Sequence, residues 1–312
     1  MGSFFEVRLP ARTPGAVPLA TKALDLIGEL EGQMTVYRED SEVSLLNAAA
    51  GSGPVAVEAG LFGLLELAKA VHDATGGAYD VTTGALSVAW GFFQGPRRVP
   101  DSRALDEARA RTGQHHLTLV AAARTVAADR PGPRIDLGSI GKGYALDRAA
   151  GLIREHWWPT PALLHGGQSS VYALGSPPGE PGGCWEVALR NPERPSEPLG
   201  TIGLRNRGLG TSGSSFRRFE AGGRVYGHIL DPRTGAPADG PLSVSVLAPT
   251  AAEADALSTA FYLLGVEGAA KIVAVRPEIG AIFVLKGEGD APPEVRTLGL
   301  GVAAFLPAAR VA

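Results

Sequence analysis

The sequence predicts an α+β protein. Amphipathic helical stretches and short strand-like runs alternate irregularly along the 312 residues, without the regular strand–helix–strand repeat of a doubly wound sheet. The strand-like runs have hairpin-like spacing, and 42 glycines and 24 prolines supply the turns between them. Hydrophobic residues at 45% and charged residues at 20% describe a globular chain, able to bury one large domain or two intimately joined ones. The chain contains no internal repeat and no long low-complexity linker.

Phe4 to Leu9 alternates like a strand, and Thr21 to Gln33 reads as a helix. Met34 to Tyr37 is a short strand running into Arg38-Glu39-Asp40-Ser41, where Asp40 or Ser41 caps a short helix that Asn47 closes. Glu58 to Thr75 is an amphipathic helix stopped by Gly76-Gly77, and the loop Ala78-Tyr79-Asp80-Val81-Thr82 follows. Asp101 to Gly113 reads as a polar helix, His116–Leu119 and Thr125–Ala128 as strands. Strand-like Arg134-Ile135-Asp136 leads through a glycine-rich turn into a helix from about Gly143 to Glu155. Leu163 to Leu174 is a strand broken at Gly166-Gly167; Trp185–Arg190 and Thr201–Leu204 are further strands. Tyr226 to Leu230 is strand-like and ends at Asp231-Pro232-Arg233-Thr234-Gly235, where proline fixes φ and glycine supplies φ > 0. After the apolar strand Leu242 to Ala248, Thr250-Ala251-Ala252-Glu253 is a capping box. It opens a helix with Leu257, Ala260, Phe261 and Leu264 on one side and Gly265 at its end; Lys271–Val275 continues as a late helix and Ala281–Leu285 as a strand.

The bulk properties exclude several classes. A net charge of −3 makes no electrostatic case for nucleic acid or an anionic membrane. The single cysteine, Cys184, allows no internal disulfide and no thiolate metal site. No apolar run reaches the length of a membrane span, and Met1 to Pro10 lacks the features of an export signal. As written, the chain is expected in the cytoplasm; with a leader removed, the periplasm or a membrane surface would be its place.

Three features carry chemistry. Asp255 and Thr259 are four apart on one helical side with Ser258 adjacent, an oxygen set suited to Mg²⁺; the alternative is a merely solvated polar face. Asp136-Leu137-Gly138-Ser139-Ile140-Gly141-Lys142-Gly143 joins a strand to a helix, where backbone amides and Lys142 can meet an anion; the alternative is a tight turn that needs its glycines. Its spacing is neither a P-loop nor a Rossmann fingerprint. His228 precedes the Asp231–Gly235 bend, whereas His72, His115, His116, His156 and His165 have no catalytic or metal-binding spacing. Asp80 reads locally as the cap of the next turn.

Together these stretches resemble the ApbE family, the FAD:protein FMN transferases. The likeness runs in family order through Val36–Glu42 with Asn47, Thr75–Leu86 with Trp90-Gly91-Phe92, Asp136–Asp147, Thr211-Ser212-Gly213, His228–Gly235 and Ala254–Thr259. The resemblance implies a T-fold-like arrangement of mainly antiparallel strands flanked by helices. It would form a single domain over 1–312, or two closely packed subdomains with FAD and Mg²⁺ between them. It implies Mg²⁺-dependent transfer of FMN from FAD to a Thr or Ser hydroxyl of an acceptor protein, with release of AMP. The acceptor would be a redox-complex subunit or a flavin-carrying reductase domain. By this resemblance Met1, Tyr37, Ala78, Tyr79, Asp80, Asp136, Lys142 and Ile229 line the FAD site. Ser139, Asp255, Ser258 and Thr259 hold the metal, and His228 assists the incoming hydroxyl, with Asp255 the second catalytic residue. FAD hydrolysis to FMN and AMP, or flavin carriage without turnover, are the alternative activities. The chain departs from the family at Leu164-His165-Gly166-Gly167-Gln168, where an Asn-x-Gly-Gly-Asp run is usual, and at Ser258, where some relatives carry Asp.

Overall fold

A computed structural model describes residues 3–157, 160–213, 218–289, 291–301 and 304–308. In chain order the elements are β1 (Phe5–Arg8), α1 (Ala16–Met34), α2 (Glu42–Ala48), β2 (Val55–Ala56), α3 (Ala59–Ala74), α4 (Gly84–Ala89) and α5 (Ser102–Arg109). A 3-10 turn (Gln114–His116) precedes β3 (Leu117–Val120), β4 (Thr125–Ala128), α6 (Gly141–Trp157), β5 (Ala162–Gly166) and β6 (Ser170–Leu174). There follow β7 (Trp185–Arg190), β8 (Pro198–Leu204), β9 (Arg207–Gly213), β10 (Arg218–Ala221), β11 (Arg224–Gly227) and β12 (Ser243–Ala248). The last are α7 (Ala251–Val275), β13 (Gly280–Leu285), β14 (Glu294–Leu298) and β15 (Phe305–Pro307).

The chain forms two compact units. The first comprises Met1–Leu30, Ile140–Gly213 and Pro241–Ala312, the second Glu31–Ser139 and Ser214–Gly240. In the first, a seven-stranded sheet runs in the order β1-β5-β6-β9-β12-β13-β14, every neighbouring pair antiparallel. One face of this sheet packs Leu163, Leu209, Leu247, Ile282 and Val284 with Leu189, Ile202 and Leu204 of the smaller sheet β15-β8-β7. Helices α6 and α7 lie together, with α7 against β9 and β12. The approach of α7 is close because β9 presents glycines: a Cβ at Gly208 or Gly210 would collide with the α7 backbone at Ala251 or Ala254.

The second unit holds the small sheet β2-β4-β3, the hairpin β10-β11 and α2 to α5. Leu61, Phe62, Leu64, Leu65, Ala68 and Val71 are the buried stripe of α3. Trp90, Leu86, Ala108 and Leu230 form an apolar cluster flanked by Phe92, Phe219 and Tyr226.

Antiparallel sheets with segregated helices match the α+β expectation, but several segments differ from their reading. Thr35–Tyr37 is no strand: the Thr35 carbonyl accepts the hydroxyls of Ser41 and Ser44 instead of a strand partner. Arg134–Asp136 forms only an isolated bridge from Arg134 to Thr83, because the Asn47 side chain takes both the N–H and the C=O of Ile135, at 2.7 and 2.9 Å. The polar helix stops at Arg109. Strand β11 ends at Gly227, and Leu230 bridges instead to Pro237 across the turn. Gly265 does interrupt α7, with φ 67° and ψ −176°. The solvated-face alternative for α7 fails, since Asp255 and Ser258 are buried along with the apolar residues. That helix is long and apolar enough to cross a membrane by length and composition, yet here it packs on β9, β12 and α6.

Candidate active site

In the first unit the candidate residues gather where α6 and α7 begin. Thr250 caps α7, its hydroxyl accepting the Glu253 N–H, as the capping box requires. One turn on, the Asp255 carboxylate is 5% exposed and reaches α6, where its Oδ2 accepts the Gly143 N–H at 2.8 Å. That amide is one of the first of α6 and has no partner within its own helix. The Ser170 hydroxyl of β6 lies 2.8 Å from both carboxylate oxygens. Ser258 Oγ donates to the Asp255 backbone carbonyl at 2.8 Å, and the Ser212 hydroxyl of β9 lies 2.8 Å from Ser258 Oγ and 3.0 Å from Thr259 Oγ1. Burial pushes the Asp255 carboxyl up to about 6, against the nearby Lys142 charge and the Ser170 and Gly143 hydrogen bonds.

In the second unit the loop after α3 is built around Asp80. The buried carboxylate accepts Thr82 N–H at 2.7 Å, Thr82 O–H at 2.6 Å and Gln114 N–H at 2.8 Å, and His72 Nδ1 lies 3.3 Å away. Burial would raise its pKa, but the His72 and Thr82 hydrogen bonds outweigh it and hold the carboxyl below the usual range. Ala78 and Tyr79 are buried beside it. Ser139, the last residue of this unit's first segment, donates its hydroxyl to Tyr79 Oη at 3.3 Å. Asp136 Oδ1 accepts the Gly138 N–H, closing the glycine-rich turn on itself. Tyr37 is 57% exposed and stacks on Phe93, centroids 5.1 Å apart, while the Arg134 guanidinium lies 4.2 Å from the Phe93 ring.

His228 follows β11 directly, and Ile229 next to it is buried. The bend beyond is held tightly: Gly235 N–H reaches the Asp231 carbonyl at 2.7 Å, Arg233 pairs with the Asp231 carboxylate, and Trp90 Nε1 donates to the Gly235 carbonyl at 2.8 Å. Gly235 has φ 76°, and a side chain there would meet Arg109, so the glycine is required twice over. A histidine on such an anchored bend is presented by rigid backbone.

Comparison with known proteins decides the family. The ApbE family model matches residues 1–283. The chain belongs to the ApbE family. It is 34% identical over 299 residues to the FAD:protein FMN transferase of Treponema pallidum, covering 91% of this chain and 82% of that protein. The Escherichia coli K12 protein of the same name is 30% identical over 298 residues, covering 93% and 83%. The crystal structure of the ApbE protein of Thermotoga maritima superposes with a TM-score of 0.84 at 29% identity, over 94% of this chain and 93% of that one. The flavin transferase ApbE of Vibrio cholerae gives 0.82 at 27%, over 96% and 94%.

Of the residues expected to act in this ApbE chain, the first unit holds Lys142, Asp255, Ser258 and Thr259. The second holds Tyr37, Ala78, Tyr79, Asp80, Asp136, Ser139, His228 and Ile229, and Met1 lies outside the described residues. The oxygen set on α7 fits a hard cation. Asp255 Oδ1 accepts the Ser170 hydroxyl, and the Ser258 and Thr259 hydroxyls lie on the Asp255 main-chain carbonyl one turn further along α7. Among the described residues no group of three or more His, Cys, Asp or Glu is gathered for a metal, so the cation would rest on one carboxylate and neutral oxygens. Mg²⁺ binds in this manner when phosphate and water complete its shell. Sequence reading placed Ser212 in the Thr211-Ser212-Gly213 motif and Ser170 just past the departure run but assigned neither a role, because their strands meet α7 only in three dimensions. At the departure from the family pattern, Gln168 is exposed and accepts from Arg190 at 3.0 Å.

Proposed function

We propose that this chain transfers FMN from FAD to a Thr or Ser hydroxyl of an acceptor protein. The observation that carries the reading is the buried Asp255 carboxylate, held by the Ser170 hydroxyl and the Gly143 amide at the start of α6, with the Ser258 and Thr259 hydroxyls on its own main-chain carbonyl, in a chain of the ApbE family. The name borne by its relatives supports FAD as the flavin source.

Mg²⁺, with Asp255, Ser258, Thr259 and Ser139 as its proposed ligands, would supply charge neutralisation on the diphosphate oxygens. Lys142 and the first amides of α6 add positive potential for the same phosphates. Tyr37, Ala78, Tyr79, Asp136 and Ile229, with Met1, complete the proposed FAD contacts; Asp80 contributes through the backbone of the loop its carboxylate holds. His228 takes the proton of the acceptor hydroxyl as its oxygen bonds to the FMN-side phosphorus. The bond from that phosphorus to the bridging oxygen breaks, and AMP leaves with the bridging oxygen. A neutral alcohol is a poor nucleophile, and a base near neutral pKa contributes about 10²–10⁴-fold.

The test incubates the protein with FAD, Mg²⁺ and a Thr-containing acceptor domain, following AMP and in-gel flavin fluorescence. Covalent flavin on the acceptor, with matching AMP, is expected. AMP at one rate with or without acceptor and no labelled protein would make the enzyme a hydrolase; FAD binding without AMP would leave a carrier. His228→Ala should slow transfer far more than it weakens FAD binding, and an equal fall in both would make His228 a binding residue.

A further inference from the structure

Helices α6 and α7 cap each other. Asp255, one turn into α7, accepts the Gly143 amide at the start of α6. Asp147, nearly two turns into α6, accepts the first two amides of α7: Ala251 N–H on Oδ1 and Ala252 N–H on Oδ2, both at 2.8 Å. The two helix starts also touch through backbone, since a Cβ at Gly143 would collide with the Ala251 carbonyl. Each helix thus receives from the other the acceptor that its own first turn lacks. The arrangement places two carboxylates in one desolvated region, and burial raises Asp147 to about 7, aided by the Asp255 and Glu253 charges and opposed by the two amides.

We propose that Asp147 is a positioning residue for the transfer reaction: by gripping two consecutive α7 amides it fixes the register of α7 on α6, and so the place of Asp255. One ordinary cap already serves α7, because the Thr250 hydroxyl accepts the Glu253 N–H at 3.2 Å. Asp147 does what Thr250 cannot: its bonds cross between helices. Freed of it, α7 can slide or tilt on the glycine floor of β9, and the Asp255 carboxylate moves with it. Nothing in the reaction requires Asp147 to touch FAD.

Asp147→Ala is compared with Thr250→Ala, which loosens the same helix start without touching α6. The first readout is hydrogen–deuterium exchange of the Gly143 amide in protein free of metal and FAD. Asp147→Ala should speed that exchange by about 10-fold or more, whereas Thr250→Ala leaves it within about twofold. The second readout is transfer: Asp147→Ala should lower kcat on the order of 10²-fold with KM for FAD shifted less than about threefold, and Thr250→Ala should keep wild-type kcat. Unchanged Gly143 exchange in Asp147→Ala, or a kcat loss no greater than that of Thr250→Ala, would overturn the proposal. Should Asp147→Ala not fold, Asp147→Asn keeps the shape and one acceptor and should move both readouts the same way; wild-type values in folded Asp147→Asn are equally fatal. The kcat arm rests on the proposed transferase reading and the exchange arm does not. Lost Gly143 protection beside an inactive wild type would therefore remove the reaction and leave the positioning role.

Discussion

Asp80 and Asp255 are both buried carboxylates, and their surroundings push them in opposite directions. Asp80 is met by four donor atoms, from Thr82, Gln114 and His72, and its carboxyl is held below the usual range. Asp255 is met by the Gly143 amide and the Ser170 hydroxyl, and burial lifts it to about 6 against these bonds and the Lys142 charge. Burying a carboxylate is unfavourable unless hydrogen bonds and opposite charge compensate it. Asp80 is compensated from within the chain and so serves its loop. Asp255 is raised instead, and a neighbouring cation is the compensation that the proposed function would bring to it. Burial alone therefore does not fix a carboxylate's state; the donors around it do, and Asp147, raised to about 7 with two amide donors, falls on the side of Asp255.

Substituting Asp255 should have the largest effect on activity. Asp255→Asn is expected to lower AMP release in the presence of acceptor on the order of 10²–10³-fold, while the thermal midpoint holds or rises because a disfavoured buried charge is gone. A midpoint that drops as far as that of an Asp80 variant would erase the contrast. Asp80→Ala should cost about 2–4 kcal/mol in urea unfolding, because it strands the buried Gln114 and Thr82 amides and removes the His72 partner. Wild-type stability there would mean the loop holds without its carboxylate.

His72→Ala gives a smaller effect that depends on pH. Hydrogen bonding to Asp80 raises the His72 pKa, against burial, so its contribution is complete below the unfolded imidazole value of about 6.5 and fades as pH rises through the raised folded value. The depressed Asp80 makes the opposite demand: its contribution is present above the unfolded value of 3.8 and is lost as pH falls through the lower folded one. The gap between His72→Ala and wild type should reach about 1–2 kcal/mol between roughly pH 4 and 6.5 and narrow toward pH 9. Urea midpoints at pH 5.5 and 9 measure it, and a gap independent of pH would reduce His72 to a packing residue.

Local features were readable from the residues themselves. The Thr250 cap, the Gly265 break and the Asp231–Gly235 bend each depend on neighbours in sequence, where backbone preferences and short-range hydrogen bonds act; the Gly166-Gly167 break was also legible, though not that the chain reverses there into antiparallel β5 and β6. Unreadable were partners far along the chain: Asn47 with Ile135, Asp80 with Gln114, Asp147 with Ala251 and Ala252, Ser170 with Asp255. The strand readings at Thr35 and Ile135 failed for that reason, since side chains from elsewhere had taken the backbone groups a strand would use.

By itself the sequence determined that helices and antiparallel strands form, where most of them start and stop, and to which family the residue pattern points, because these follow from periodicity, caps and ordered motifs. Only the tertiary structure decided which buried carboxyl is held below its usual range and which is pushed above it. Donor atoms that cancel a buried charge come from segments with no sequence relation to it, and only folding determines how many arrive.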